Sequence, residues 1–294
     1  MPAPSPLSAL PALPEPDLVQ LDGVPVATYR LEPGTGPVPG ELVICHGTPW
    51  SARVWAGVAA QAAAAGWRVF LWDMPGYGRS VMSAEVPVDL AAQMRRLAAL
   101  LEHWGLDRPH LLAHDIGGAV ALGAHLLHDR EYAELRLWDV VTLDPWGSPF
   151  FRLVAEHAAV FAQLPPNLHR ALVREYIAGA VYQELPEPVL AGLTEPWLSE
   201  AGRPAFYRQI AQLSPEHTRP LVERLGAVRC PVAIGWGERD PWIPVEQAYR
   251  LRDALPGVPE LTLLPAAGHL APLEDPEGVR RALADWLSIS RGDW

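Results

Sequence analysis

Short apolar runs alternate along the chain with longer stretches in which apolar residues recur about every 3.6 positions. The runs near Leu42–Cys45, Arg68–Trp72, His110–Ala113, Leu137–Leu143, Val232–Trp236 and Glu260–Leu264 predict strands. The helical periodicity predicts helices near Val54–Ala65, Leu90–Trp104, Gly117–Leu127, Val245–Ala254 and Pro276–Leu287, ended by turn signals such as Gly66, Gly105 and Pro256-Gly257. Alternation of this kind marks an α/β fold, a mostly parallel sheet flanked by helices. The rhythm breaks from about Trp146 to Val228, where helical segments are punctuated by Pro165-Pro166, Pro186, Pro188, Pro196, Pro204 and Pro220. A stretch of about eighty residues is too long for a connection between two strands, so 146–228 is expected to be an inserted helical cap. The core is then 18–145 with 229–294, and the cap roofs the strands' carboxyl ends, where open α/β sheets bind ligands.

Composition narrows the function. The 294 residues include 34 acidic and 23 basic side chains, a formal net charge of −11, and 49% of them are hydrophobic. Such a length buries a core without disulfides or structural metal. The acidic balance offers no field for phosphates, so no nucleic-acid partner is expected. Cys45 and Cys230 adjoin apolar runs and read as buried thiols in a reducing compartment. Residues 1–17 hold six prolines, two acids and no basic residue, the opposite of a signal peptide, and predict a flexible proline-rich tail. No window reaches the roughly 18 consecutive apolar residues of a membrane span. A cytoplasmic monomer or homodimer with no membrane partner is expected.

The chemistry concentrates where strands end. The run near His110 leads into Ala113-His114-Asp115-Ile116-Gly117-Gly118. An aspartate between an apolar strand and an apolar helix is costly to bury unless something pairs with it. Ala113 and Gly117, two positions either side, allow the sharp strand-to-helix turn of a nucleophile elbow, with Asp115 where the commoner pattern carries serine. A helix cap is the local alternative, since aspartate caps well. His269, in Ala266-Ala267-Gly268-His269-Leu270, follows the last strand, and Asp240, in Arg239-Asp240-Pro241-Trp242, follows the strand before it. The order nucleophile, acid, histidine, each just past a strand end, suits a carboxylate nucleophile with a water-activating base and its orienting acid. His46-Gly47-Thr48-Pro49 follows the strand near Leu42 and would set the Thr48 amide beside that of Ile116 as an oxyanion hole. Asp144 is held in reserve for the role of Asp240.

With Asp73-x-Pro-Gly-Tyr-Gly-Arg-Ser80 added to these motifs, the stretch from about Leu42 to Leu287 resembles the α/β-hydrolase family. Within it, the chain resembles the aspartate-nucleophile branch of epoxide hydrolases and haloalkane or haloacid dehalogenases. The resemblance implies an α/β-hydrolase fold with a helical cap, no cofactor, and a covalent alkyl ester on Asp115 that water activated by His269 hydrolyses. Halide-expelling relatives place a Trp directly after the nucleophile and often an Asn or a second Trp beside it, whereas this chain has Ile116 and Thr48. The haloacid branch uses an arginine near the elbow, and Ile116 to Ala124 holds none. The resemblance therefore favours a small apolar epoxide as substrate, with cap tyrosines as proton donors. Tyr207 occupies the aromatic-Tyr-Arg position of the cap motif, and Tyr176 is the second donor, with Tyr182 behind it. Trp146, Phe150, Phe151, Trp197 and Trp242 are expected to line the substrate cavity.

Other readings fall short. Gly76-Tyr77-Gly78-Arg79-Ser80-Val81 lacks the last glycine of a dinucleotide fingerprint. His125 and His128 have no third ligand at zinc spacing. A non-catalytic ligand receptor on the same fold stays open, though such a protein has no need of all three triad positions.

Overall fold

The computed structural model describes residues 7–34, 38–284 and 286–287. Eight strands form one sheet: β1 (Asp17–Leu21), β2 (Val24–Leu31), β3 (Glu41–Cys45), β4 (Arg68–Trp72), β5 (His110–His114), β6 (Glu134–Trp138), β7 (Val232–Gly237) and β8 (Glu260–Leu264). Their spatial order is β1-β2-β4-β3-β5-β6-β7-β8. The β1–β2 and β2–β4 pairs are antiparallel and every other pair is parallel. The chain runs from β3 outward to β4 and returns to the other side of β3 with β5, so β3 and β5 flank the switch point where such sheets open a crevice.

The sheet is covered by α1 (Ala56–Ala64), α2 (Leu90–His103) and α3 (Ile116–Leu127). Between β6 and β7 the chain builds α4 (Pro149–Phe161), α5 (Pro166–Ala178), α6 (Glu187–Thr194), α7 (Gly202–Gln212) and the short α8 (Arg219–Val222). Then follow α9 (Glu246–Ala254), α10 (Ala271–Glu274) and α11 (Pro276–Ala284). The apolar runs of β3, β5 and β7 are buried on both faces, which explains why they read as continuous rather than alternating.

Four expectations need correction. The strand predicted at Leu137–Leu143 is β6, ending five residues earlier: Glu134 and Arg136 pair on one face and hide its start, while Asp139, at φ 44°, ends it. The hairpin β1–β2 escaped the pattern, although its two turn residues, Asp22 and Gly23, both have positive φ, as Asp-Gly hairpin turns require. The helix expected from Val54 opens as a 3-10 turn, Ala52–Trp55, before α1. The tail expected to be flexible through Asp17 is seated from Leu7 onward. The Leu7 amide donates to Leu273 O at 2.9 Å, Leu10 and Leu13 pack on the core, and Glu15 pairs with Arg79 at 2.7 Å. Residues 1–6 of that tail, and 285 and 288–294 of the expected C-terminal core, lie outside the described residues. Cys45 and Cys230 are buried, as expected.

Candidate active site

Asp115 is the first residue after β5, at φ 53° and ψ −126°. Residues other than glycine rarely hold such a backbone, which costs about 1–3 kcal/mol and concentrates at functional sites. Its carboxylate does not cap α3. Instead Oδ1 accepts the Thr48 amide at 2.6 Å, and Oδ2 stands 3.4 Å from His269 Nε2. The helix-cap alternative is thereby set aside. Two glycines permit this approach. A Cβ on Gly47 would come within 2.3 Å of Asp115 Cβ, and one on Gly117 within 2.5 Å of the His46 carbonyl oxygen.

The loop after β3 is held from both sides. His46 Nδ1–H donates to Gly47 O at 2.7 Å, and its Nε2 accepts the Met74 amide at 2.9 Å. Burial lowers its pKa, so the ring stays neutral in that tautomer. Asp73 gathers the next loop, accepting Tyr29 OH and the amides of Ala52 and Arg79 at 2.7–2.8 Å. From above, Gln209 on α7 accepts both the Thr48 hydroxyl at 2.7 Å and Tyr77 OH at 2.8 Å through Oε1.

His269 and Asp240 follow β8 and β7 on the same edge. His269 Nδ1–H donates to Asp240 Oδ2 at 2.7 Å, while Asp240 Oδ1 accepts the Trp242 and Ile243 amides at 2.7 and 2.9 Å. Burial alone would lower the His269 pKa. The two carboxylates outweigh it and hold the imidazole well above its ordinary value. Behind it, His114 donates Nε2–H to His269 O at 2.9 Å, and burial together with the neighbouring His269 pushes its pKa down to about 3, so it is a neutral support. Glu274 fastens the whole loop: Oε1 accepts the amides of Gly268 and Leu270, and Oε2 those of Tyr182 and Gln183 in the loop after α5. The His269 amide also donates to Ala180 O at 3.0 Å.

Asp144 does not reach the histidine; it faces Arg219 at 3.5 Å in an outer cleft. The residue that the sequence reading missed is Asp139, which directly follows β6 and is fully buried. Its Oδ1 accepts the Gly237 amide at 2.8 Å. Placing the strand end correctly at Trp138 would have exposed it, because it then stands at a strand terminus like the other two acids.

A cavity opens above Asp115, lined by Thr48, Ile116, Val141, Trp146, Gly147, Ser148, Phe151, Tyr176, Trp242 and Ile243. Of the expected lining residues, Trp146, Phe151 and Trp242 are there, and so is Tyr176. Phe150 is not, packing behind Tyr176 with ring centroids 5.1 Å apart. Trp197 is not either: its indole N–H donates to Pro49 O at 3.1 Å and its ring packs on Tyr77 and Phe206. Tyr207 is a third correction. Its hydroxyl donates to His169 Nδ1 at 2.8 Å, His169 Nε2–H donates in turn to Trp197 O at 2.9 Å, and its ring stacks on Phe161. That proton is committed to packing inside the cap, away from the cavity. Tyr176 stacks on Trp242 at 4.6 Å, and burial, then the Asp115 charge, raise its pKa well above 10. It is a phenol that keeps its proton at the cavity wall. Among the described residues the cavity wall carries no lysine or arginine.

Among the described residues no group of three His, Cys, Asp or Glu could hold a metal ion, and no helix is long and apolar enough to cross a membrane. His125 is spent on structure, with Nδ1 on Arg130 O and Nε2 accepting the Arg229 amide.

Residues 42–282 match the family model described as "Alpha/beta hydrolase family". A 2-hydroxy-6-oxononadienedioate/2-hydroxy-6-oxononatrienedioate hydrolase of Burkholderia vietnamiensis is 27% identical over 277 residues, covering 90% of this chain and 92% of that one. A 2-hydroxy-6-oxo-6-phenylhexa-2,4-dienoate hydrolase of Comamonas testosteroni is 26% identical, covering 76% and 78%. The crystal structure of an alpha/beta hydrolase fold protein from Burkholderia ambifaria is 41% identical with a TM-score of 0.86, covering 93% of this chain and 100% of that one. The chain belongs to the alpha/beta hydrolase family.

Proposed function

We propose that this α/β hydrolase opens small apolar epoxides through a covalent alkyl ester on Asp115. One observation carries the reading: the elbow residue is an aspartate with one carboxylate oxygen on the Thr48 amide and the other toward His269 Nε2. In the first step Oδ2 attacks an epoxide carbon, the carbon–oxygen bond of the ring breaks, and Tyr176 OH donates to the forming alkoxide. The ester carries no charge, so His269 loses one of the two carboxylates that hold its proton; its pKa falls, its proton returns to the Tyr176 phenolate, and the neutral Nε2 is free to accept a proton. In the second step His269 takes a proton from water, and the water oxygen attacks the Asp115 carbonyl carbon. The charge that develops on Oδ1 meets the amides of Thr48 and Ile116. Collapse breaks the bond to Oδ2, which leaves with the diol.

The curated relatives are named for cleaving dienoates, compounds that carry carboxylate groups. The cavity lining favours a neutral substrate instead, because among the described residues it holds no lysine or arginine to meet such a group. Halide release is disfavoured because Trp146 spends its indole N–H on Thr218 Oγ1 at 3.1 Å and Ile116 has no side-chain donor. The test is a panel of styrene-type epoxides, bromoalkanes and a 2-hydroxy-6-oxo-dienoate, followed by a single turnover in heavy-oxygen water. Diol formation with label in the Asp115 carboxylate is expected. Faster bromide release moves the reading to a dehalogenase, dienoate cleavage without label overturns the ester, and binding without any turnover favours a receptor.

A further inference from the structure

The residue after β6 has no part in the scheme above, yet it sits against it. Asp139 is fully buried with its backbone at φ 44°, and its amide donates to Gly235 O at 3.1 Å on the neighbouring strand. Its Oδ1 accepts the Gly237 amide, but its Oδ2 is buried with no donor among the described residues. The group beside it is another carboxylate, Asp240, whose amide donates to the carbonyl of the same Gly237 at 3.1 Å. Both Asp240 oxygens are already taken, Oδ1 by two backbone amides and Oδ2 by His269. Two adjacent buried carboxyls cannot both ionise cheaply, and a single proton between them resolves the conflict. The oxygen without a donor is where that proton belongs.

We propose that Asp139 is a positioning residue, a neutral carboxylic acid whose O–H donates to Asp240 and so fixes the carboxylate against which His269 is oriented. The titratable groups facing it are Asp240 and, beyond it, His269; His114 and Asp115 face His269 from the other side. Burial and the Asp240 charge raise the Asp139 pKa well above the usual carboxylate range, which agrees with this assignment. The pair then carries one negative charge, held by Asp240 beside the imidazole, rather than two. The inference rests on reading Asp115, His269 and Asp240 as the working triad.

The experiment has a spectroscopic arm and a kinetic arm. Infrared difference spectra of the wild type against Asp139→Asn at neutral pH should show a protonated-carboxyl C=O band that shifts in heavy water and is absent from the variant. This arm needs no substrate, so it stands even if epoxide turnover fails. In the kinetic arm Asp139→Asn keeps a donor for Asp240 and an acceptor for Gly237, and should retain kcat within about threefold. Asp139→Ala removes the donor and should lower kcat about tenfold or more with KM unchanged. Absence of the band overturns the proposal. So does an Asp139→Asn rate that falls as far as that of Asp240→Asn, which would make Asp139 the ionised acid. If Asp139→Ala fails to fold, the band and the asparagine variant still decide.

Discussion

The loops along the carboxyl edge of the sheet and the helices of the cap supply the two halves of the cavity, and they hold their side chains by different means. On the sheet edge, Asp115, Asp240 and His269 each follow a strand end and are fixed through backbone amides or through each other. In the cap, Tyr176 on α5 and Tyr207 on α7 are similar residues on similar helices, yet one reaches the cavity and the other bonds His169. A strand end delivers a side chain to a known edge, whereas a helix delivers it only to a face. Which face meets the substrate depends on how the cap docks.

The largest test of this contrast is Asp115→Ala. If the edge carries the chemistry, kcat on the best epoxide should fall about 10⁴-fold or more, as when a nucleophile is removed, with the circular-dichroism spectrum of the fold kept. A rate within tenfold of wild type would move the chemistry off the edge. Next comes Glu274→Ala, which attacks the seam between the two halves. Its carboxylate satisfies four backbone amides, two beside His269 and two in the loop after α5. Leaving them buried without an acceptor should cost on the order of 3 kcal/mol or more in urea denaturation. A loss below about 1 kcal/mol would mean that the seam relaxes freely.

The two tyrosines give the third test. Tyr176→Phe should lower kcat about 100-fold on epoxides, the contribution of a positioned proton donor. Its stability should change by less than about 0.5 kcal/mol, because its hydroxyl makes no hydrogen bond among the described residues. Tyr207→Phe should do the reverse, costing about 1–3 kcal/mol by stranding His169 Nδ1 while leaving kcat unchanged. Equal kinetic losses in both would erase the distinction between cavity and cap interior.

How much of this was legible follows the same division. The parallel sheet, the long insertion, the elbow at Asp115 and the meeting of His269 with Asp240 all follow from apolar runs and from residues placed just past them. Asp139 was lost because the run Val140-Val141-Thr142-Leu143 is as apolar as a strand, while Glu134 and Arg136 made the true strand look like a loop. The pattern offers Phe150 and Trp197 to the cavity only as aromatic residues of the cap, and Tyr207 as a proton donor only from its place in the aromatic-Tyr-Arg motif. Any of them can pack, and only the hydrogen bonds of Trp197 and Tyr207 show that they do. Gln209 gave no signal at all, since nothing local distinguishes a polar residue on a helix that will be buried by docking from one left in water.

Gln209 is also where the two halves are joined most narrowly, and it offers the smallest effect. Its Oε1 accepts from Thr48 Oγ1 on the sheet edge and from Tyr77 OH at the same time. Thr48→Val removes one donor and keeps the Thr48 amide on Asp115; Tyr77→Phe removes the other. After either change alone the carbonyl oxygen still has a partner, so each should cost only about 1 kcal/mol. With both donors gone the oxygen is buried unsatisfied, and the double variant should lose about 1 kcal/mol more than the sum of the singles. Urea denaturation of the four proteins measures that coupling. Strict additivity would mean that the two hydroxyls act separately and that α7 is held to the oxyanion loop by packing rather than through this one side chain.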